Sequence, residues 1–471
     1  MFKNSFKKSF LLTLMSSVLL SSCNTEFDID EPSQGEANYT TTVVIGGNFS
    51  SGFRDGALSR SGQEESFPSL LADRFRTYGN LQNFNVPFLK GDKGVFPDYD
   101  LSLDESVAYT LTLPRLVLKN EADCRGDVSI APKRMSENGD NEIDLNNTSQ
   151  RIFDENNRYH HFGIPAMKSF HTIFPGYASL ANFTQNSPFS PYFWRFAESV
   201  SNSRVVDDVL KTNPTFAIID LGLADVLSYA IEGGVGNVGG VSTNAITGLN
   251  QFEASVKNLL DSLSARNIKG IMLNIPDVTT FPYFNTIDPD ALDIDAQKAE
   301  DLNAHYSNQN ILFTAGKNFM VVEDKDGNIR KLAPNEKVTL NTPPDSLRCA
   351  DWGAFVPLKD KHFLSANQLN AIKTNTEAFN NILNNLSAQY GFPIVDVASL
   401  IKKVDNTYTT NGMDISTTFV SGNFFSLDGL HPSNRGQAMI ANECIKVINK
   451  NFSATFPTYN LVDFRANLFP N

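Results

Sequence analysis

The sequence predicts an α/β fold with a parallel central sheet that is covered by helices on both faces. Short runs rich in Val, Ile and Leu, several of them ending in glycine, have the continuous apolar character of strands buried on both faces. Between them lie longer segments whose apolar residues recur at every third or fourth position, as in amphipathic helices. With 471 residues, 41% of them hydrophobic, the chain can bury a sizeable core.

The predicted elements alternate along the chain. The predicted strands are 42–45, which runs into Gly46 and Gly47, and then 216–222, 270–276 and 393–397. The predicted helices are 66–76, 252–265, 366–390 and 438–449.

These elements are assigned to one domain over residues 41–460, followed by a tail at 461–471. The polar segment 119–160 and the mixed segment 288–365 are predicted to be large insertions. Three phenylalanines near the C-terminus are candidates for exposed interface residues: Phe452, Phe456 and Phe464.

The first residues resemble a bacterial lipoprotein signal. Residues 1–22 combine a basic start, an apolar stretch too short to span a membrane, and small residues leading to Cys23. The prediction is cleavage before Cys23 and lipidation of that residue; the alternative is an ordinary signal peptide with an incidental cysteine.

Residues 23–40 are predicted to be a tether, with four acidic residues close behind Cys23. This acidic cluster resembles the export signal of surface lipoproteins in Bacteroidetes, although a generic acidic linker is the alternative. The resemblance implies a protein anchored in the outer membrane and facing the extracellular surface.

The charge excludes one class of partner. The chain carries a net charge of −13, and removing residues 1–22 with their three lysines lowers it to −16. A nucleic-acid-binding surface is therefore not expected, because it would need a basic stripe.

The strongest local motif lies near the C-terminus, where Asp428 precedes His431 in the run Asp-Gly-Leu-His-Pro-Ser just ahead of a predicted helix. At this spacing the carboxylate can orient the imidazole, as the base that activates a nucleophile requires. The pair can also serve only to tie the loop to the helix.

With this motif the chain resembles the SGNH (GDSL-type) hydrolases, and more narrowly their large lipoprotein relatives from Bacteroidetes. Segments 52–58, 162–171, 225–230 and 274–280 share the resemblance with the Asp428–His431 motif. It implies a flavodoxin-like, three-layer α/β/α fold and an esterase or lipase type of acyl transfer.

Three positions depart from the family pattern. The residue aligned with the nucleophilic serine is Asn48, and those aligned with the oxyanion-hole glycine and asparagine are Ala166 and Ala224. Since the amide of Asn48 cannot act as a nucleophile in place of the serine hydroxyl, the protein is predicted to be catalytically inactive. It would then be a scaffold subunit beside an outer-membrane β-barrel or other surface lipoproteins.

Two alternatives remain open. The protein could be an active esterase on glycans or lipids, using Ser50 or Ser51 as a shifted nucleophile with His431 and Asp428. It could also be a glycan-binding surface lipoprotein.

The remaining cysteines and histidines add few expectations. Cys124–Cys349 is favoured as a disulfide, because Cys444 falls on a helix face that is expected to be buried. His160, His161 and His171 invite a metal site, but their spacing supplies no further ligand and packing is preferred. No metal or other cofactor is predicted.

Overall fold

The computed structural model describes residues 31–94, 96–98, 111–135, 151–182 and 189–469. The predicted signal segment 1–22, Cys23 and all of the acidic cluster behind it except its last residue, Glu31, lie outside the described residues. Within the described ranges, no helix combines the length and the apolar character needed to cross a membrane.

Most of the strands are short. In chain order they are β1 (Thr42–Gly46), β2 (Phe96–Asp98), β3 (Leu111–Leu113), β4 (Leu116–Ala122), β5 (Val128–Arg134), β6 (His161–Gly163), β7 (Phe216–Asp220), β8 (Val238–Gly240), β9 (Ile246–Thr247), β10 (Lys269–Leu273), β11 (Leu292–Ile294), β12 (Gly316–Asn318), β13 (Val321–Glu323), β14 (Ile329–Lys331), β15 (Lys337–Val338), β16 (Leu358–Lys359), β17 (Phe363–Leu364), β18 (Ile394–Val395), β19 (Tyr408–Thr410) and β20 (Met413–Ile415).

The helices range from single turns to seven turns. In chain order they are α1 (Arg60–Glu64), α2 (Phe67–Tyr78), α3 (Pro191–Trp194), α4 (Val205–Leu210), α5 (Leu223–Ile231), α6 (Leu249–Ser264), α7 (Ala296–His305), α8 (Pro344–Cys349), α9 (Ala366–Tyr390), α10 (Val397–Asp405) and α11 (Asn434–Phe452).

The central sheet is parallel and has the order β18-β10-β7-β1-β6. Numbered along the chain, its five strands follow the order 2-1-3-4-5 of flavodoxin-like folds, in which the connection reverses direction between β1 and β7. Strands β1 and β7 are buried along their whole length. This burial matches the run of apolar residues that makes up most of each strand.

Helices cover both faces of this sheet. Helix α2 packs against α11 on one face, while α9 packs against α5 and α6 on the other. The predicted three-layer α/β/α fold is thereby confirmed. Helix α9 has the predicted bounds because Ser365 and Gln368 form a capping box at its start, and because Gly391 ends it in a left-handed conformation with φ of 71°.

One large apolar cluster fills both layers beside the sheet and includes residues from Ala37 to Leu461. Smaller apolar clusters lie within the segment between Ile287 and Phe363. The expectation that Phe452, Phe456 and Phe464 are exposed is wrong. Phe452 and Phe456 are buried and Phe464 packs against the main cluster, because the chain after α11 folds back along that helix.

The predicted disulfide between Cys124 and Cys349 is confirmed, while Cys444 is a buried free thiol. The bond joins the turn of the β4–β5 hairpin to the last residue of α8. It therefore connects two distant segments, 225 residues apart in sequence, above the carboxyl ends of the central strands.

Candidate active site

The site is built from the loops that follow β1, β6 and β7, where the sheet order reverses. Ligand sites in open α/β sheets lie in the crevice at this position. The loop after β1 lies close against the loop after β6. A Cβ atom at Gly47 would be only 2.9 Å from the carbonyl oxygen of Met167, so this approach needs a glycine.

Asn48 occupies the centre of the loop after β1 and is 6% exposed. Its side-chain oxygen Oδ1 accepts the backbone N–H of Ala166 at 2.9 Å. Ala166 has φ of +59°, a left-handed conformation that favours glycine, which is the residue in the family pattern. The alanine therefore keeps a backbone N–H at the position aligned with the family's oxyanion-hole glycine, and this N–H donates to Asn48.

Ser50 and Ser51, the candidates for a shifted nucleophile, have no exposed surface. The Ser50 hydroxyl donates to the carbonyl oxygen of Gly47 at 3.2 Å, and the Ser51 hydroxyl donates to that of Asn48 at 2.9 Å. The Ser50 N–H donates to the buried carboxylate of Asp220 at the end of β7, 2.8 Å away. Both serines thus hold the shape of the loop.

Ala224 lies in the first turn of α5 and is buried. Its methyl group offers no hydrogen-bond donor. The next residue, Asp225, accepts both the N–H and the O–H of Ser169, at 2.9 and 2.7 Å. The start of α5 is thereby fastened to the loop after β6, although Ala224 is not among the described residues that line the cavity beside Asn48.

Asp428 and His431 form an ordered pair on the loop before α11. The distance between Asp428 Oδ2 and His431 Nδ1 is 2.9 Å, and the same oxygen accepts the N–H of Gly56. The other oxygen, Oδ1, accepts the N–H groups of Leu430 and His431 and the hydroxyl of Ser426.

These donors keep the Asp428 carboxylate ionised. Burial raises its pKa, but the His431 charge and the hydrogen bonds outweigh burial and lower the pKa to about 2. An ionised carboxylate requires a proton on Nδ1 of His431, so Nε2 is the nitrogen that can accept another. The imidazole ring also packs against Phe53, with centroids 4.8 Å apart.

Asn48, Ala166, Asp428 and His431 line one cavity of about 770 Å³. This volume is within the range of small-molecule sites. Most of its other walls are apolar or aromatic and include Leu227, Leu340 and Tyr283.

The β4–β5 hairpin and α8 form a clasp over this cavity, and residues of both elements line it. Besides the disulfide, Arg348 donates to the carboxylate of Asp123 at 2.6 Å, and Arg125 donates to the carbonyl oxygen of Arg348 at 2.6 Å. The sequence did not predict this clasp as part of the site. The only signal for it was the favoured cysteine pair.

The roles of Ser426 and Gly56, which hold Asp428 in place by hydrogen bonds, were also not predicted from the sequence. Ser426 stands two residues before Asp428, and a satisfied buried carboxylate needs such donors. Gly56 lies in a segment that was noted only for its resemblance to the family.

The three histidines considered for a metal serve other purposes. His171 stacks on Tyr177 with centroids 4.2 Å apart, and Nδ1 of His160 accepts the N–H of Asn85. Burial lowers the pKa of His160 and of His161 to about 4. The described part of the chain contains no group of three or more His, Cys, Asp or Glu side chains arranged to hold a metal ion.

Comparison with known proteins identifies one family. The model of the GDSL-like lipase/acylhydrolase family matches residues 174–444, more than half of the chain. The match includes Ala224 and the Asp428–His431 pair but begins after Asn48 and Ala166. No curated protein matches the chain significantly.

Two solved structures also match. An acetyl xylan esterase has 14% sequence identity, and the alignment covers 61% of this chain and 78% of the esterase with a TM-score of 0.25. A GDSL-like lipase from Bacteroides thetaiotaomicron has 11% identity, with 62% and 76% covered and a TM-score of 0.25. At these scores neither structure adds an argument about function.

The prediction that the protein is not an enzyme is contradicted by the family match, because the matched family consists of acyl hydrolases. That prediction rested on the departures at Asn48, Ala166 and Ala224, with Asp428 and His431 as the retained positions. Asp428 and His431 are nevertheless hydrogen-bonded to each other, and both line the cavity.

Proposed function

The chain belongs to the GDSL-like lipase/acylhydrolase family, and from this we propose that it hydrolyses acyl esters with Asp428 and His431 as the catalytic base. One observation carries the proposal. His431 Nδ1 lies 2.9 Å from the carboxylate of Asp428, and the ring lines a cavity of about 770 Å³.

The chemistry follows from the protonation states. Nε2 of His431 takes a proton from the attacking nucleophile while the Asp428 carboxylate stabilises the imidazolium that forms. The same nitrogen then returns the proton to the leaving alkoxide. Base catalysis of this kind accelerates a reaction by about 10²–10⁴-fold.

The test is ester hydrolysis by purified protein with p-nitrophenyl acetate and p-nitrophenyl butyrate. We expect turnover above the buffer rate, and a loss of at least about 10²-fold in His431→Gln. His305→Gln is the matched control, because His305 is exposed and is not among the described residues that line the cavity. Wild-type protein that is no faster than buffer, or a fully active His431→Gln variant, would contradict the proposal.

We also propose that the protein works at the bacterial surface, tethered to the outer membrane through lipid on Cys23. The signal-like segment 1–22 with its small residues before Cys23, and the acidic cluster behind that cysteine, support this location. Incorporation of a labelled fatty acid into wild-type protein, and none into Cys23→Ala, is the expected result. Resistance to protease added to intact cells would contradict surface exposure.

An outer-membrane β-barrel or another surface lipoprotein is the proposed neighbour of the anchored enzyme. The lipid anchor supports this, because it confines the protein to the membrane where such proteins reside. Purification in mild detergent followed by mass spectrometry tests it. Recovery of the protein alone would contradict a stable complex.

For an enzyme at this location, esters of surface glycans and of lipids are the natural substrates to assay.

A further inference from the structure

We infer that water attacks the ester directly in this protein and that Asn48 has become a donor to the oxyanion. The inference rests on the proposed ester hydrolysis. No covalent intermediate forms on residue 48 in this route. Water adds to the acyl carbon and the alcohol is eliminated from it.

The first support is that the loop after β1 presents no hydroxyl to the cavity. The position of the family nucleophile is Asn48, whose amide nitrogen is not nucleophilic. The hydroxyls of Ser50 and Ser51 are buried and donate to backbone carbonyls of the same loop. Neither serine is among the described residues lining the cavity.

The second support is the orientation of the Asn48 amide. Its Oδ1 accepts the Ala166 N–H at 2.9 Å, and the opposite orientation would set an NH₂ group against that N–H. This hydrogen bond fixes which end of the amide is Nδ2, a group with two N–H donors. Asn48 lines the same cavity as His431, so these donors belong to the wall against which an ester carbonyl would lie.

The third support is the intact base. His431 has its Nδ1 on the ionised Asp428, so Nε2 can deprotonate a water molecule. The cavity of about 770 Å³ is large enough to hold an ester together with water.

The reaction balances without a covalent enzyme intermediate. The water oxygen forms a bond to the acyl carbon as its proton moves to Nε2, and the carbonyl electrons become an oxyanion that accepts N–H from Asn48. The oxyanion then collapses, the bond from the acyl carbon to the alkoxy oxygen breaks, and Nε2–H protonates the alkoxide. One ester and one water give one acid and one alcohol.

To test this inference, wild-type protein, Asn48→Ser and Asn48→Ala are treated with a fluorophosphonate probe, and any adduct is located by mass spectrometry. The same proteins are followed by stopped-flow hydrolysis of p-nitrophenyl butyrate. We expect wild type to turn over without a burst and to remain unlabelled, whereas Asn48→Ser becomes labelled at residue 48. We expect kcat of Asn48→Ala to fall by about 10²–10³-fold with KM little changed, as for loss of an oxyanion donor.

Several results would overturn the inference. A burst, or an adduct on any serine of active wild type, would show a covalent route; Ser129 and Ser228 also line the cavity and would be identified in this way. An unchanged kcat in Asn48→Ala would show that Asn48 does not stabilise the oxyanion. An unlabelled Asn48→Ser would show that residue 48 does not lie beside the acyl carbon. These outcomes leave ester hydrolysis intact, whereas wild type without any turnover overturns the proposed function as well.

Discussion

The substitution Asp428→Asn perturbs the hydrogen-bonded pair of Asp428 and His431 with little change in the shape of the side chain at position 428. Each carboxylate oxygen of Asp428 accepts more than one hydrogen bond, so an NH₂ group at either position meets donors. If the NH₂ replaces Oδ2, it faces the N–H of Gly56 and Nδ1 of His431. His431 must then move its proton to Nε2, where it can no longer act as a base.

The size of the effect follows from these contacts. When asparagine replaces the aspartate that orients a catalytic histidine, the histidine adopts the wrong tautomer and kcat falls by about 10⁴-fold. We expect a loss of the same order here. Burial raises the pKa of Asp428, while its partners lower the pKa from 3.8 to about 2 and so favour the charged form. Asp428→Asn should therefore also lower the free energy of unfolding by about 2–3 kcal/mol at pH 7.

The assay measures kcat on p-nitrophenyl butyrate and guanidinium unfolding for wild type, Asp428→Asn and the exposed control Asp326→Asn. The stabilisation by Asp428 is present above its unfolded pKa of 3.8 and is lost as the pH falls towards 2, so the stability difference should shrink in acid. A loss of kcat below about tenfold, with the fold preserved, would refute the assignment of Asp428 as the residue that orients the base.

Two further predictions concern stability. Burial lowers the pKa of His160 and His161 to about 4 and that of His171 well below 6.5. As the pH falls, the unfolded chain therefore binds these protons first. Burial of His160 and of His161 should each lower the free energy of unfolding by about 2 kcal/mol at pH 5 relative to pH 7.5, measured by guanidinium unfolding, and burial of His171 should act in the same direction. A flat profile between these pH values would contradict it. Reducing the Cys124–Cys349 disulfide should lower the unfolding free energy by about 2–4 kcal/mol and expose the β4–β5 hairpin to protease, whereas a double Cys→Ser variant should not respond to reductant. Equal stability with and without reductant would argue against the clasp.

The sequence predicted the central layers well because their patterns are local. The strand at Phe216–Asp220 begins with four consecutive apolar residues, and Ser365 and Gly391 mark the two ends of α9 by capping chemistry. The Asp428–His431 pair was also identified, since both residues lie within one short loop. Such features depend on neighbours in sequence, which a single chain reveals.

The rest depends on contacts that spacing cannot predict. The Asn48–Ala166 hydrogen bond joins residues 118 apart, and the Gly56–Asp428 hydrogen bond joins residues 372 apart. The terminal phenylalanines were taken as exposed because nothing in their local pattern shows that the chain returns along α11. The inactivity prediction likewise judged the site by residue identity, without the hydrogen bonds that keep His431 oriented.

The most direct test of the account is the ratio of kcat/KM for p-nitrophenyl butyrate between wild type and His431→Gln, measured on folded protein of equal purity. If Asp428 and His431 form the catalytic base, wild type turns over the ester above the buffer rate and the ratio is at least about 10². A ratio near one, or wild-type protein indistinguishable from buffer, would contradict the claim that Asp428 and His431 form the base of an acyl hydrolase.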